Sequence, residues 1–138
     1  MTQIEDSQIL GLHPTIPASV FAIFLLILLA FVPEVQRIQI IGYQLFVIAA
    51  VYLGFAINDG RTSVLLIETL QLAFFFVVGV LGLWISPWFL VAGYIMHGVW
   101  DILHNQGGLD TRLAEWYPFA CMVYDWLFAL VLILWLLV

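Results

Sequence analysis

Five apolar stretches follow one another along this chain, at 17–32, 38–57, 64–85, 88–104 and 118–138. A helix needs roughly 20 mostly apolar residues to cross the hydrocarbon of a bilayer, and about 17 suffice. A chain of 138 residues with five such stretches has little left to build anything else. None of the five shows the period-two alternation of a membrane barrel strand. The expectation is an all-α polytopic membrane protein, with five transmembrane helices packed in one bundle and a single domain over residues 1–138.

Composition agrees. Hydrophobic residues make up 65% of the chain and charged ones 9%, where a soluble domain carries about 25% charged. Most of the surface therefore has lipid as its solvent. Net charge is −6, with three arginines and no lysine. With no basic patch to meet a phosphate backbone, nucleic acid is excluded as a partner. Cys121 is the only cysteine, so no intramolecular disulfide can form. The opening "MTQIEDSQILGLHPTIP" has acids where a signal peptide has a basic start, and is read as part of the mature protein.

The connections are short and carry turn chemistry. Pro17 opens the first helix and Pro33 closes it. "NDGRTS" turns at Gly60, with Thr62 or Ser63 placed to cap the third helix. The longest connection, "NQGGLDTRLAEWY", places Leu109, Leu113 and Trp116 at i, i+4 and i+7. That spacing predicts a short amphipathic helix over 109–116 lying in the headgroup plane, hinged at Gly107-Gly108. Trp84, Trp88, Trp116 and Tyr117 fall near helix ends, as aromatic belts do. Arg61 and Arg112 share a side with the N-terminus and Arg37 lies opposite, so the positive-inside rule favours the N-terminus inside.

The polar residues choose one side. Asn58 and Asp59 end the second helix there, and Glu68 and Gln71 lie in the first turns of the third. His97, Asp101 and His104 occupy the end of the fourth, and Asp125 sits about two turns inside the fifth, with Cys121 one turn above it. At about 100° per residue, His97, Asp101 and His104 fall within an arc of about 60°. An acid held at the membrane centre costs at least about 2.5 kcal/mol. A cluster of such groups on one side therefore points to an interior site rather than to tolerated polar residues.

Metal binding is the first chemistry these groups suit, because an ion offsets the burial of the acids. His97 and His104 are seven residues apart, about 10 Å along the helix, too far to meet comfortably at one ion. The expected set is one divalent ion (zinc, iron or manganese) drawn from His97, Asp101, His104, Asp125 and Glu68, with the second histidine left as acid or base. His97, Asp101 and Asp125 are the candidate catalytic residues. A dinuclear carboxylate centre draws on two Glu-x-x-His motifs, and only Asp101-x-x-His104 resembles one here. No G-x-S-x-G elbow and no nucleotide- or flavin-binding motif occurs. Cys121 is a soft ligand or nucleophile by its position, although a buried cysteine more often serves as a small hydrophobe.

Three functions fit. The favoured one is a metal-dependent, hydrolase-like enzyme acting on a lipidic or membrane-dissolved small molecule. The alternatives are a non-enzymatic accessory subunit or scaffold of a membrane complex, or a homo-oligomer of that kind, and a small proton-linked transporter.

"GYIMHGVWDILHNQGG" followed by "YPFACMVYDWLFAL" resembles a family of small, uncharacterised bacterial integral-membrane proteins, known as a domain of unknown function. The shared pattern is H-x-x-W-D-x-x-H, a glycine-containing loop, then C-x-x-x-D. It is matched here by His97, Trp100, Asp101, His104, Gly108, Cys121 and Asp125, and the "PEVQR" turn is also similar. The resemblance is specific over the last third of the chain and implies the bacterial inner membrane and these site residues, with no settled activity. It departs in the loop, where Asn105 stands in place of a further histidine and "DTRLAEW" is acidic.

Overall fold

The computed structural model describes His13 and residues 15–138, so the expectation for the first twelve residues lies outside the described part. Five helices follow in order: α1 Thr15–Ala30, α2 Glu34–Asp59, α3 Thr62–Trp84, α4 Trp88–Asn105 and α5 Tyr117–Leu137. No strand occurs among the described residues. Three of the helices, α2, α3 and α5, are long and apolar enough to cross a membrane; α1 is apolar but shorter.

The helix boundaries sit close to the apolar stretches, with instructive differences. α2 starts at Glu34, four residues ahead of its apolar stretch, because Pro33 precedes it with φ −55° and Glu34 faces the positive end of the helix dipole. It ends at Gly60 in the left-handed region (φ 80°), whose N–H returns to the Ala56 carbonyl. The expected cap from Thr62 or Ser63 does not form. Arg61 takes the N-cap position without a side-chain bond, and Thr62 is already helical.

α4 ends in a Schellman motif around Gly107 (φ 73°): Gly108 N–H reaches the Leu103 carbonyl at 2.8 Å and Gly107 N–H that of His104 at 3.2 Å. The amphipathic helix expected over 109–116 is absent; residues 110–114 have no regular structure.

The helices share one core, built from Ala22, Leu26, Ile41, Leu45, Phe75, Leu90, Tyr94, Phe128 and Leu132 among others. α4 lies along α5 and α2 along α3; α3 also meets α4, and α1 rests on α5. Close approach depends on glycines. A Cβ on Gly98 of α4 would stand 2.3 Å from Trp126 Nε1 of α5, and one on Gly82 of α3 would stand 2.3 Å from Leu90 Cδ2 of α4. Without side chains at these positions the helix backbones pack tightly, as in membrane interfaces rich in small residues. Outside the core the apolar surface is extensive, with Phe31, Trp84, Ile85 and Val35 each more than two-thirds exposed.

Candidate functional site

The buried polar and charged residues are Glu68, Gln71, His97, Asp101, His104 and Asp125. All come from α3, α4 and α5, and helix register explains how they meet. α4 runs antiparallel to α5 across the loop 106–116, so equal distances from the facing helix ends bring residues level. His97 lies eight residues before Asn105, and Asp125 lies eight after Tyr117; Asp101 and Cys121 each lie four from the same ends. Two levels of a single site result.

At that site His97, Asp101, Cys121 and Asp125 each offer one ligating atom, all within 4.8 Å of one another and all buried. His97 Nδ1 is 2.7 Å from Asp125 Oδ2 and 3.7 Å from Asp101 Oδ2. Cys121 Sγ is 3.9 Å from Asp125 Oδ2. Rings hold the imidazole in place, with Phe75 of α3 edge-on at 4.9 Å and Tyr52 of α2 at 5.7 Å between centroids. The Tyr52 hydroxyl donates to Asp101 Oδ1 at 2.5 Å and fixes that carboxylate. One oxygen of each acid is left over: Asp101 Oδ2 and Asp125 Oδ1 have no hydrogen-bond partner among the described residues, nor has His97 Nε2.

The expected ligand set is therefore rearranged. His97, Asp101 and Asp125 converge, and Cys121 joins them. Glu68 and His104 form a separate pair one turn nearer the loop that joins α4 to α5. His104 Nε2 lies 2.8 Å from Glu68 Oε1, which also accepts from Thr111 Oγ1 at 2.6 Å. A carbonyl can only accept, so the 3.0 Å contact from His104 Nδ1 to the Trp100 carbonyl places a proton on Nδ1. His104 is thus held on both nitrogens and is not oriented toward the His97 cluster. Gln71 belongs to neither group; its amide donates to the Ala49 carbonyl at 2.7 Å and ties α3 to α2.

No arginine reaches the three buried acids, whose only basic neighbours are His97 and His104. Arg37 donates to the Val32 carbonyl and lies over Trp135. Arg61 pairs with Asp59 at 2.6 Å and with Asp110, and these partners raise its pKa further above its ordinary value. Arg112 is exposed, and its backbone N–H donates to Asp59 Oδ2 at 2.9 Å. A cation or bound protons must supply the missing positive charge.

The donor set fits a metal. Ligands at about 2.0–2.3 Å from a tetrahedral ion stand about 3.3–3.7 Å apart. The pairs at 2.7, 3.7 and 3.9 Å bracket that spacing. Nitrogen, carboxylate and thiol together suit zinc first, and iron or manganese without the thiol.

An apolar groove of about 1150 Å³ runs between α1 and α2, with α5 as its floor. Its walls include Phe21, Leu25, Leu28, Val47 and Ile48, and its floor Tyr117, Ala120, Cys121 and Tyr124. Cys121 thus belongs both to the groove and to the buried cluster.

Two participants were not singled out from sequence. Tyr52 stands in an apolar stretch with nothing local to mark it, and Thr111 sits in the loop read as an interfacial helix.

Helices of this apolarity joined by an internal His/Asp/Cys cluster describe a class of helical protein with a buried polar site. Within that class, the chain belongs to the family of unknown function DUF6010, whose model matches residues 13–137. No curated protein and no solved structure matches it.

Proposed function

We propose that this chain spans the bacterial inner membrane five times, N-terminus inside, and binds one divalent cation at His97, Asp101 and Asp125. It uses that site as a hydrolase-like enzyme on a lipidic or membrane-dissolved substrate. One observation carries the reading: four buried, metal-competent side chains converge within 4.8 Å, with no arginine to balance two carboxylates.

A catalytic ion keeps one position open, whereas a structural ion is closed by four protein ligands. Three ligands here are fully buried, and Cys121 alone touches the groove. The position toward Cys121 would be the exchangeable one. A bound ion in this position would polarise a carbonyl or lower the pKa of a water. The protein's own groups do the rest. Tyr52 orients Asp101, Phe75 and Tyr52 hold the imidazole, and the apolar walls exclude bulk water.

The test is the metal content of freshly purified protein, with Cys121→Ala alongside. About one ion per chain in both supports three ligands and an exchangeable fourth position. Metal in wild type that disappears in Cys121→Ala marks a closed, structural ion and overturns the enzyme reading. Metal-free protein whose stability is indifferent to chelator overturns the site altogether.

A further inference from the structure

We infer that the groove between α1 and α2 is the binding site for a single hydrocarbon chain of the substrate, whose polar head is delivered to Cys121 at the edge of the buried cluster. This rests on the enzyme reading above and specifies its substrate class: a one-chain amphiphile bearing a carboxylate, ester or similar oxygen-rich head.

The argument begins with shape. The groove follows α1 from Pro17 to Val32, about 22 Å at 1.5 Å per residue. One leaflet of hydrocarbon is about 15 Å deep, so a full-length acyl-type chain lies along it. What selects the occupant is Cys121, which lines the groove and belongs to the buried cluster: an amphiphile brings a polar head to that point, whereas a spanning helix of a second copy brings an apolar face.

Chemistry then fixes the direction. α1 and α5 run parallel from the same face, where His13 meets Phe119 edge-on at 5.7 Å. The floor residues Tyr117, Cys121 and Tyr124 lie toward that face, and Val32 and Ile40 line the opposite end. Cys121 belongs both to the groove and to the buried cluster, and sits level with Asp101. A chain in the groove thus has its tail toward Val32 and its head beside the cluster.

Apolar contact alone gives no preference over bulk lipid, because acyl chains are as apolar as leucine. The head must therefore anchor the molecule, while the groove sets its direction and depth. That predicts a dependence on head group that ordinary boundary lipid does not show.

The experiment uses the full chain in vesicles of phosphatidylcholine with two photoreactive probes: a long-chain carboxylic acid with a mid-chain diazirine, and the matching alkane without a head. Cross-linked residues are read by peptide mass spectrometry. The acid is expected to label Leu25 and Val47 several-fold more than the outward-facing Val77, saturably, and to be displaced by unlabelled acid. The alkane is expected to label all three alike. Val47→Trp and Ala18→Trp, both placing bulk in the groove, are expected to abolish the excess separately; Val47 is 63% exposed, so a larger apolar side chain there leaves folding intact.

Equal, non-saturable labelling of groove and outward face by the acid overturns the inference. Metal content is measured on the same samples. Groove labelling in metal-free protein overturns the enzyme reading while the groove stands. Stoichiometric metal without groove labelling overturns this inference alone.

Discussion

The hydroxyl of Tyr52 on α2 lies 2.5 Å from Asp101 Oδ1 on α4, across 49 positions of sequence. The same ring sits 4.4 Å from that of His104 and 5.7 Å from that of His97, between centroids. One aromatic side chain therefore separates the His97–Asp101–Cys121–Asp125 cluster from the Glu68–His104 pair and orients the acid of the first. A carboxylate with one oxygen tied to a neutral donor keeps the other for a cation. The donor behind a ligand is often as consequential as the ligand.

Tyr52→Phe tests that relationship. It keeps the ring and removes only the donor, so His97 and His104 retain their packing. Metal affinity is expected to fall about 10–100-fold, with stoichiometry unchanged at saturating metal. Stability is expected to fall by about 1–3 kcal/mol, because Asp101 loses a buried hydrogen bond. Competition against a chelating dye reads the first effect and thermal unfolding the second. An unchanged affinity would show that Asp101 does not depend on Tyr52.

Asp125→Asn separates charge from shape. In wild-type protein, removing the ion leaves two carboxylates without a cation in an enclosed site, so chelator should lower the unfolding temperature. The amide preserves volume and a hydrogen bond to His97 while deleting one charge. The variant is expected to lose its metal, to be insensitive to chelator, and to be more stable than chelated wild type. An ion present at 100 times its dissociation constant adds about 2.7 kcal/mol, which sets the scale of the wild-type change. A chelator effect of equal size in both proteins would contradict this.

Much of the site can be seen in the sequence because burial selects it. Glu68, Asp101 and Asp125 stand alone in apolar stretches where charge is costly, and the structure buries all three completely. What the sequence leaves open is level. Helical rise sets His97 and His104 too far apart to meet comfortably at one ion, but does not show which acid meets which histidine. That depends on the antiparallel register of α4 and α5, set by the Gly107 turn and the length of the following loop.

The loop itself is misread for a related reason. Leu109, Leu113 and Trp116 have helical spacing, yet Thr111 bonds Glu68, Asp110 bonds Arg61, and the Arg112 N–H bonds Asp59. Long-range partners for side chain and backbone win over a local helix. Tyr52 is illegible because its role exists only once α2 and α4 cross.

Gly98→Ala probes the contact that holds the two halves of the cluster together. The new Cβ would lie 2.3 Å from Trp126 Nε1, whose ring must move and give up its 3.3 Å bond to the Ile95 carbonyl. Overpacking of this kind costs about 1–3 kcal/mol. Because His97 is the neighbouring residue, separation of α4 from α5 is expected to weaken metal binding as well. Adding Trp126→Ala to the same protein removes the clash, and is expected to restore metal affinity toward wild type. Failure of the double variant to recover would mean that Gly98 acts through backbone flexibility instead.

The loop over the site gives the last prediction. Thr111 Oγ1 donates to Glu68 at 2.6 Å, and Arg61 fastens the same loop through Asp110 while holding Asp59 at 2.6 and 2.7 Å. Exposed ion pairs contribute little, so Arg61→Gln should leave global unfolding nearly unchanged, whereas Thr111→Val takes a donor from the buried Glu68 carboxylate and should cost about 1–3 kcal/mol. Local opening is another matter, because these few bonds are what tie residues 110–112 to α2 and α3. Both variants are expected to speed amide hydrogen exchange over residues 109–113, and 1 M salt should do so in wild type and Thr111→Val but add little in Arg61→Gln. An ion at His97 would be held by α4 and α5, so its affinity should stay within about twofold of wild type, a difference below 0.5 kcal/mol. A metal affinity that falls in step with loop opening would instead place the loop in the path between the site and the membrane face.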